Sequence, residues 1–225
     1  MKEITQKKTY KKIITASLEL FNRDGERHVS TNHIAAHLNI SPGNLYYYFH
    51  NKEEIILELF RQYRADSINQ LSLQDKHETL TDLVNYFRSA FTLMWQYRFL
   101  FQDTTTLDRN QQLSQEYFAF SEGEMGPIIQ EHFTSMIQTG ALKMSEEQIR
   151  LCIMNIWIIT KYWFSFHASR YPDASPEETQ NRGIIQVLSL LQPLIQPQYQ
   201  EYFIQTMENI KVCEQTPDKE MSLTA

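Results

Sequence analysis

At 225 residues the chain suits one domain or two, and its 42% hydrophobic and 21% charged residues exclude global disorder or a fibrous repeat. Only 6 Gly and 7 Pro are present, too few for the many turns of a β-sandwich or barrel, so an all-α fold is expected. A net charge of −6 by itself argues against nucleic acid, but the charge is uneven: residues 1–52 carry eight Lys/Arg against four Asp/Glu (net +4), and the rest carry 13 against 23 (net −10), as an anion-binding end on an acidic body would.

The first residues, Met1-Lys2-Glu3-Ile4-Thr5-Gln6-Lys7-Lys8, lead into no apolar run of the secretory kind. The most apolar stretch, Ile153 to Phe166, is broken by Asn155 and Lys161 and falls short of the roughly 20 residues of a membrane span. Cys152 and Cys213 are too few for a disulfide framework or a zinc site, and buried reduced thiols are expected. A cytoplasmic location follows from these expectations.

From Ile4 to Arg23 the residues Ile13, Ile14, Leu18, Leu20 and Phe21 recur near the helical period, predicting an amphipathic helix that Asp24-Gly25 ends. A short second helix starts at Ser30 or Thr31 and turns Ile34, Ala35 and Leu38 inward; Asn39 follows, a residue that tolerates the left-handed conformation. Ser41 caps a third helix with Pro42 in its first position, running through Leu45-Tyr46-Tyr47-Tyr48 to near Phe49. Asn51 caps a fourth, with Glu54 placed for the reciprocal capping bond and Ile55, Ile56, Leu59, Phe60 and Tyr63 as inner face, continuing to about Leu71. Further helices are expected near 78–97, 98–108, 111–139, 146–170, 176–195 and 198–213. Breaks fall at Gly140, Pro172 and Pro197, Gly126-Pro127 kinks the third of these, and 215–225 is a flexible tail.

Two short helices joined by a tight turn and entered by a longer one describe a helix-turn-helix. Gly43 allows close backbone approach, Asn44 can pair with a base edge or a phosphate, and tyrosine hydroxyls are common phosphate donors. Lys52 opposes the dipole at its helix start, which a phosphate nearby would explain. Ser30 and Ser41 are helix caps with or without DNA, and one of the three tyrosines must pack inside.

Three runs carry a family likeness: Ser30-Thr31-Asn32-His33-Ile34-Ala35, Ile40-Ser41-Pro42-Gly43-Asn44-Leu45-Tyr46-Tyr47-Tyr48-Phe49, and Asn51-Lys52-Glu53-Glu54. In order and spacing the chain resembles the TetR family of bacterial transcriptional regulators. It departs from the family pattern at Asn39, where Gly is common, and at Pro42, where Lys or Arg is common; the second change removes a DNA contact. The resemblance implies an N-terminal reading domain (1–51) and a helical regulatory and dimerisation domain (52–214). The candidate DNA contacts are Ser30, Thr31, Asn32, Ser41, Pro42, Gly43, Asn44, Tyr46, Tyr47, Tyr48 and Lys52.

The body reads as two helices apolar on more than one face. In 146–170, Ile149, Ile153, Ile156, Trp157, Thr160 and Phe164 line one side, and Cys152, Ile159, Tyr162, Trp163 and Phe166 the other. In 176–195, Ile184, Ile185, Val187, Leu188, Leu190, Leu191, Leu194 and Ile195 have the same character. Such helices are central or shared with a second subunit. They resemble the family's four-helix dimer interface, so a homodimer through 146–170 and 176–195 is expected.

Aromatic residues gathered in the middle either fill a large core or line the inducer pocket that the resemblance implies. Phe91, Trp95, Phe118, Trp157 and Phe164 are the candidate ligand contacts, with Lys161 as the polar anchor, since charge inside an apolar helix needs a partner. Arg98, Asn155 and His167 are further polar groups in this belt. Enzyme chemistry has little support. His33 and His37 lie four apart without the Glu of H-E-x-x-H, and there is no nucleotide-binding glycine loop or nucleophile elbow. The expected function is a repressor released from a palindromic operator by a small, mostly apolar molecule, with no cofactor, metal or catalytic residue.

Overall fold

The structure, a computed structural model, describes residues 2–71, 79–103 and 105–212. Among these residues the regular structure is helical and no strand forms, as the scarcity of turn residues requires. Helix α1 (Lys2–Asp24) ends where Gly25 takes a φ of 81°. Helix α2 (Thr31–His37) starts at Ser30, whose Oγ accepts from the His33 amide at 3.2 Å, and stops before Asn39, at a φ of 53°. Helix α3 (Pro42–Tyr46) starts at Ser41, whose Oγ accepts from the Asn44 amide at 3.2 Å. Helix α4 (Lys52–Leu71) is capped by Asn51, whose Oδ1 accepts from Glu54 at 2.8 Å. The Glu54 carboxylate reaches one residue further back than expected and accepts from the His50 amide at 2.7 Å.

Helix α5 (Leu80–Gln96) is followed by two short helices, α6 (Phe99–Gln102) and α7 (Thr106–Arg109), where one was expected over 98–108. Asp103 separates them in an extended conformation and accepts from the Thr105 amide and hydroxyl at 3.0 and 2.8 Å. The expected 111–139 helix is α8 (Gln111–Phe120) and α9 (Gly126–Gln138), joined by a π-helical turn, Ser121–Met125. Pro127 has no amide to donate, and the Gly126 amide reaches back five residues to Ser121 O.

Helix α10 (Glu146–Arg170) follows Gly140, which has a φ of 76°. Helix α11 (Pro176–Ser189) is shorter than 176–195, because Pro193 turns Gln192–Leu194 into a 3₁₀ turn. Helix α12 (Pro197–Val212) closes the described chain. Cys152 is buried, which pushes its thiol up to about 11. Cys213 and the 215–225 tail lie outside the described residues.

One continuous core runs from Ile13 of α1 to Ile210 of α12. Gly183 brings α11 onto α5 and α10, for a Cβ there would stand 2.2 Å from the Phe91 ring and 2.7 Å from Trp163 Nε1. That approach covers one face of α11 from within the chain. Ile184, Val187, Leu188, Leu191 and Ile195 are buried within this one chain, while Ile185, Leu190 and Leu194 are only partly buried. Helix α10 differs. Its inner face is buried, but Leu151, Met154, Ile158, Tyr162 and Phe166 form an exposed apolar stripe along the helix.

Asn22 and Arg27 tie the first helices to the α5–α7 segment of the body. The Asn22 amide nitrogen donates to Gln96 O at 2.7 Å and its oxygen accepts from the Phe99 amide at 3.1 Å, filling the break between α5 and α6. Arg98 donates to Asn22 O at 3.1 Å, and Phe21 packs on Phe99 with ring centres 5.3 Å apart. Beyond Gly25, Arg27 pairs with Asp103 and donates to the Thr105 hydroxyl at 2.6 Å.

Candidate functional site

Helix α3 buries Leu45, and Phe49 follows it into the core, which leaves its other sides outward. Ser41, Pro42, Gly43 and Asn44 are exposed, and a Cβ at Gly43 would meet nothing within 4 Å. Tyr47 is 67% exposed, Tyr46 is also exposed, and Tyr48 is the tyrosine that turns half inside, its ring edge-on to Tyr47 at 5.1 Å. Tyr46 OH and the Thr31 hydroxyl share a hydrogen bond of 3.2 Å, joining the end of α3 to the start of α2. Ser30 and Asn32 are exposed beside Thr31, so ten of the eleven expected contacts lie on or beside α2 and α3. Sequence reasoning missed Gln6, whose Nε2 donates to Tyr47 OH at 2.9 Å.

Lys52 is the exception. Its ammonium lies 2.6 Å from a Glu26 carboxylate oxygen and donates to Glu26 O at 2.9 Å, with side-chain exposures of 21% and 4%. The cation that opposes its helix dipole is explained by this buried acid, and the argument for a phosphate there falls away. Arg109 approaches the same carboxylate at 3.5 Å.

Between α4, α5, α6, α8, α9 and α10 lies a cavity of about 70 Å³, lined among others by Tyr63, Ser67, Tyr86, Met94, Phe101 and Trp157. Of the expected ligand contacts only Trp157 lines it. Phe91 and Phe164 are core, with ring centres 6.1 Å apart, and Trp95 packs on Phe164 at 5.6 Å beneath the Arg98 guanidinium. Phe118 is 47% exposed. Lys161 spreads its ammonium over the rings of Tyr117, Phe118 and Tyr162 at 5.8, 5.3 and 5.2 Å, a partner set that needs no ligand. Among the other polar groups, Arg98 serves Asn22, Asn155 is exposed, and His167 is buried against Trp163 and Tyr171. The α4 face beyond Phe60, bearing Tyr63 and Ser67, is the wall that sequence reasoning did not assign. Its only signal was a continuing apolar period.

Residues 13–59 match the family model for bacterial regulatory proteins of the tetR family, and residues 62–203 match TetR, bacterial transcriptional repressor. The chain belongs to the TetR family. A TetR-family transcriptional regulator from Marinobacter aquaeolei VT8 is 37% identical, with a TM-score of 0.80 over 90% of this chain and 98% of that one. A gamma-butyrolactone receptor (ArpA-like protein) shares the fold at 14% identity, with a TM-score of 0.64 over 92% and 98%. SmeT in its triclosan complex does so at 13% identity, with a TM-score of 0.58 over 84% and 92%. No curated protein sequence matches the chain. As a TetR-family regulator it carries the DNA-binding helix-turn-helix on α2 and α3 and the ligand-binding domain on the helices that follow. No helix among the described residues is long and apolar enough to cross a membrane.

Proposed function

We propose that the chain is a cytoplasmic repressor that binds a palindromic operator as a homodimer and lets go when a small, mostly apolar molecule fills the central cavity. The observation that carries this reading is the placement of α4. It starts against Glu26 beside the helix-turn-helix and brings Tyr63 and Ser67 to the cavity wall three to four turns later. Residues 1–51 are the reading unit and 52–214 the regulatory unit. Asn44 reads a base edge, Ser30, Thr31, Asn32, Ser41, Tyr46 and Tyr47 hold phosphates or bases, and Pro42 and Gly43 let the backbone approach. Lys52 positions Glu26 and is not a DNA contact. Two copies meet through the exposed α10 stripe, which gives the two-fold symmetry a palindrome needs.

A duplex selected from a random pool tests this reading. Asn44→Ala weakens the selected duplex by roughly 1–3 kcal/mol and relaxes sequence preference at one position of each half-site. Lys52→Ala leaves the salt slope of binding unchanged. Unaltered duplex affinity in both Asn44→Ala and Tyr47→Phe contradicts the assignment of α3 to the major groove.

A further inference from the structure

We infer that the central cavity selects an uncharged molecule with a compact apolar body and one hydroxyl group, a small aromatic or alicyclic alcohol. The inference rests on the reading of the cavity as the effector site. Among the described residues that line it there is no Lys, Arg, His, Asp or Glu. Of the cations that sequence reasoning offered to the ligand, Lys161 is held over three aromatic rings and Arg98 donates to Asn22 O instead.

The polar atoms that remain both accept and donate. The hydroxyls of Ser67, Ser121 and Thr160 donate to Tyr63 O, Tyr117 O and Ile156 O at 2.8, 2.9 and 2.9 Å. Each hydroxyl has one proton, so their oxygens are left as acceptors, and a guest that donates a hydrogen bond matches them. The phenols of Tyr63, Tyr86 and Tyr117 and the indole of Trp157 stand at the same wall as donors, so a hydroxyl, which both donates and accepts, matches it. Burial pushes the Tyr63 and Tyr86 hydroxyls far above the ordinary phenol range, a sign that this region opposes any ionised group.

Size adds a consequence. About 70 Å³ is roughly half the cavity in which benzene has been seated, so a ring-sized guest must move a wall. Ser121 and Met125 at the two ends of the π-helical turn form one wall, and Glu124 of that turn is paired with Arg64 of α4. A guest that lifts the turn therefore pulls on the helix that starts beside the reading unit.

Three probes of nearly one shape test the class by calorimetry on the full chain at neutral pH: benzyl alcohol, benzoate and benzylammonium. Benzyl alcohol binds at least about tenfold more tightly than either ion. Thr160→Val or, should that variant unfold, Ser67→Ala weakens benzyl alcohol about fivefold and leaves toluene unchanged. Ala90→Leu, which fills the cavity, abolishes binding of both with the helical circular dichroism intact. Benzoate or benzylammonium binding as tightly as benzyl alcohol overturns the inference, as does the absence of saturable binding by benzyl alcohol. If benzoate binds and releases the selected duplex, the ligand class falls and the effector site stands. If benzyl alcohol binds as stated and leaves duplex affinity unchanged, the class stands and the effector reading falls.

Discussion

Glu26 sits nine-tenths buried between Lys52 and Arg109, a carboxylate with two cations reaching it from α4 and α7. Removing its charge in Glu26→Gln leaves Lys52 half-hidden without its counter-ion, and we expect a loss of about 1–3 kcal/mol in urea unfolding. Gly183→Ala acts by crowding. The added methyl enters the Phe91 and Trp163 contact, and overpacking of this kind costs about 1–3 kcal/mol in the same measurement. His167 gives the pH dependence. Burial first, then the neighbouring Arg182, holds its imidazole below the ordinary histidine range, against a smaller opposing pull from Glu178. The fold therefore prefers the neutral ring. Its contribution is complete above the unfolded value of about 6.5 and is lost as pH falls from there through the lowered folded value. Unfolding midpoints followed from pH 7.5 to 5 should drop, and His167→Phe should flatten that part of the curve.

At the scale of elements, what depends on near neighbours in sequence was legible. Ser30, Ser41 and Asn51 cap α2, α3 and α4 through amides three residues on, and Asn39 takes the left-handed turn, because these bonds are local. The site was legible to the same extent: the face of α3 follows from Leu45 and Phe49 having to go inward. The cavity was not, because its walls come from six helices whose relative rotation no single period encodes. Phe91, Trp95 and Phe164 have the same apolar character as the lining residues and differ only in what faces them. Apolar faces on α10 and α11 looked alike for a related reason. A periodic pattern records that a side chain is covered but not whether its own chain does the covering. The junction at Asn22 was equally hidden, since its partners lie more than 70 residues away. Asn22→Ala leaves Gln96 O and the Phe99 amide without their partner, and hydrogen exchange of the Phe99 amide should quicken about tenfold or more while that of the α10 amides stays unchanged.

For the molecule as a whole, α10 carries an apolar stripe that the described residues leave uncovered. Leu151, Met154, Ile158, Tyr162 and Phe166 lie along one side of it, all large and exposed. Ile158→Glu should give a folded monomer by sedimentation, with helical content retained. Leu188→Glu, fully buried inside the chain, should unfold it instead. Monodisperse monomer from the unmodified protein at micromolar concentration contradicts the interface. Two copies joined along α10 present two α3 helices, and the account stands or falls on what those helices do. The most direct measurement is the affinity of the protein for its selected palindromic duplex against a scrambled duplex of equal length and charge, across a salt series. The account predicts two chains per duplex, a preference of about 10³-fold or more for the palindrome, and affinity that falls steadily with salt. Equal affinity for the two duplexes at every salt concentration would contradict it.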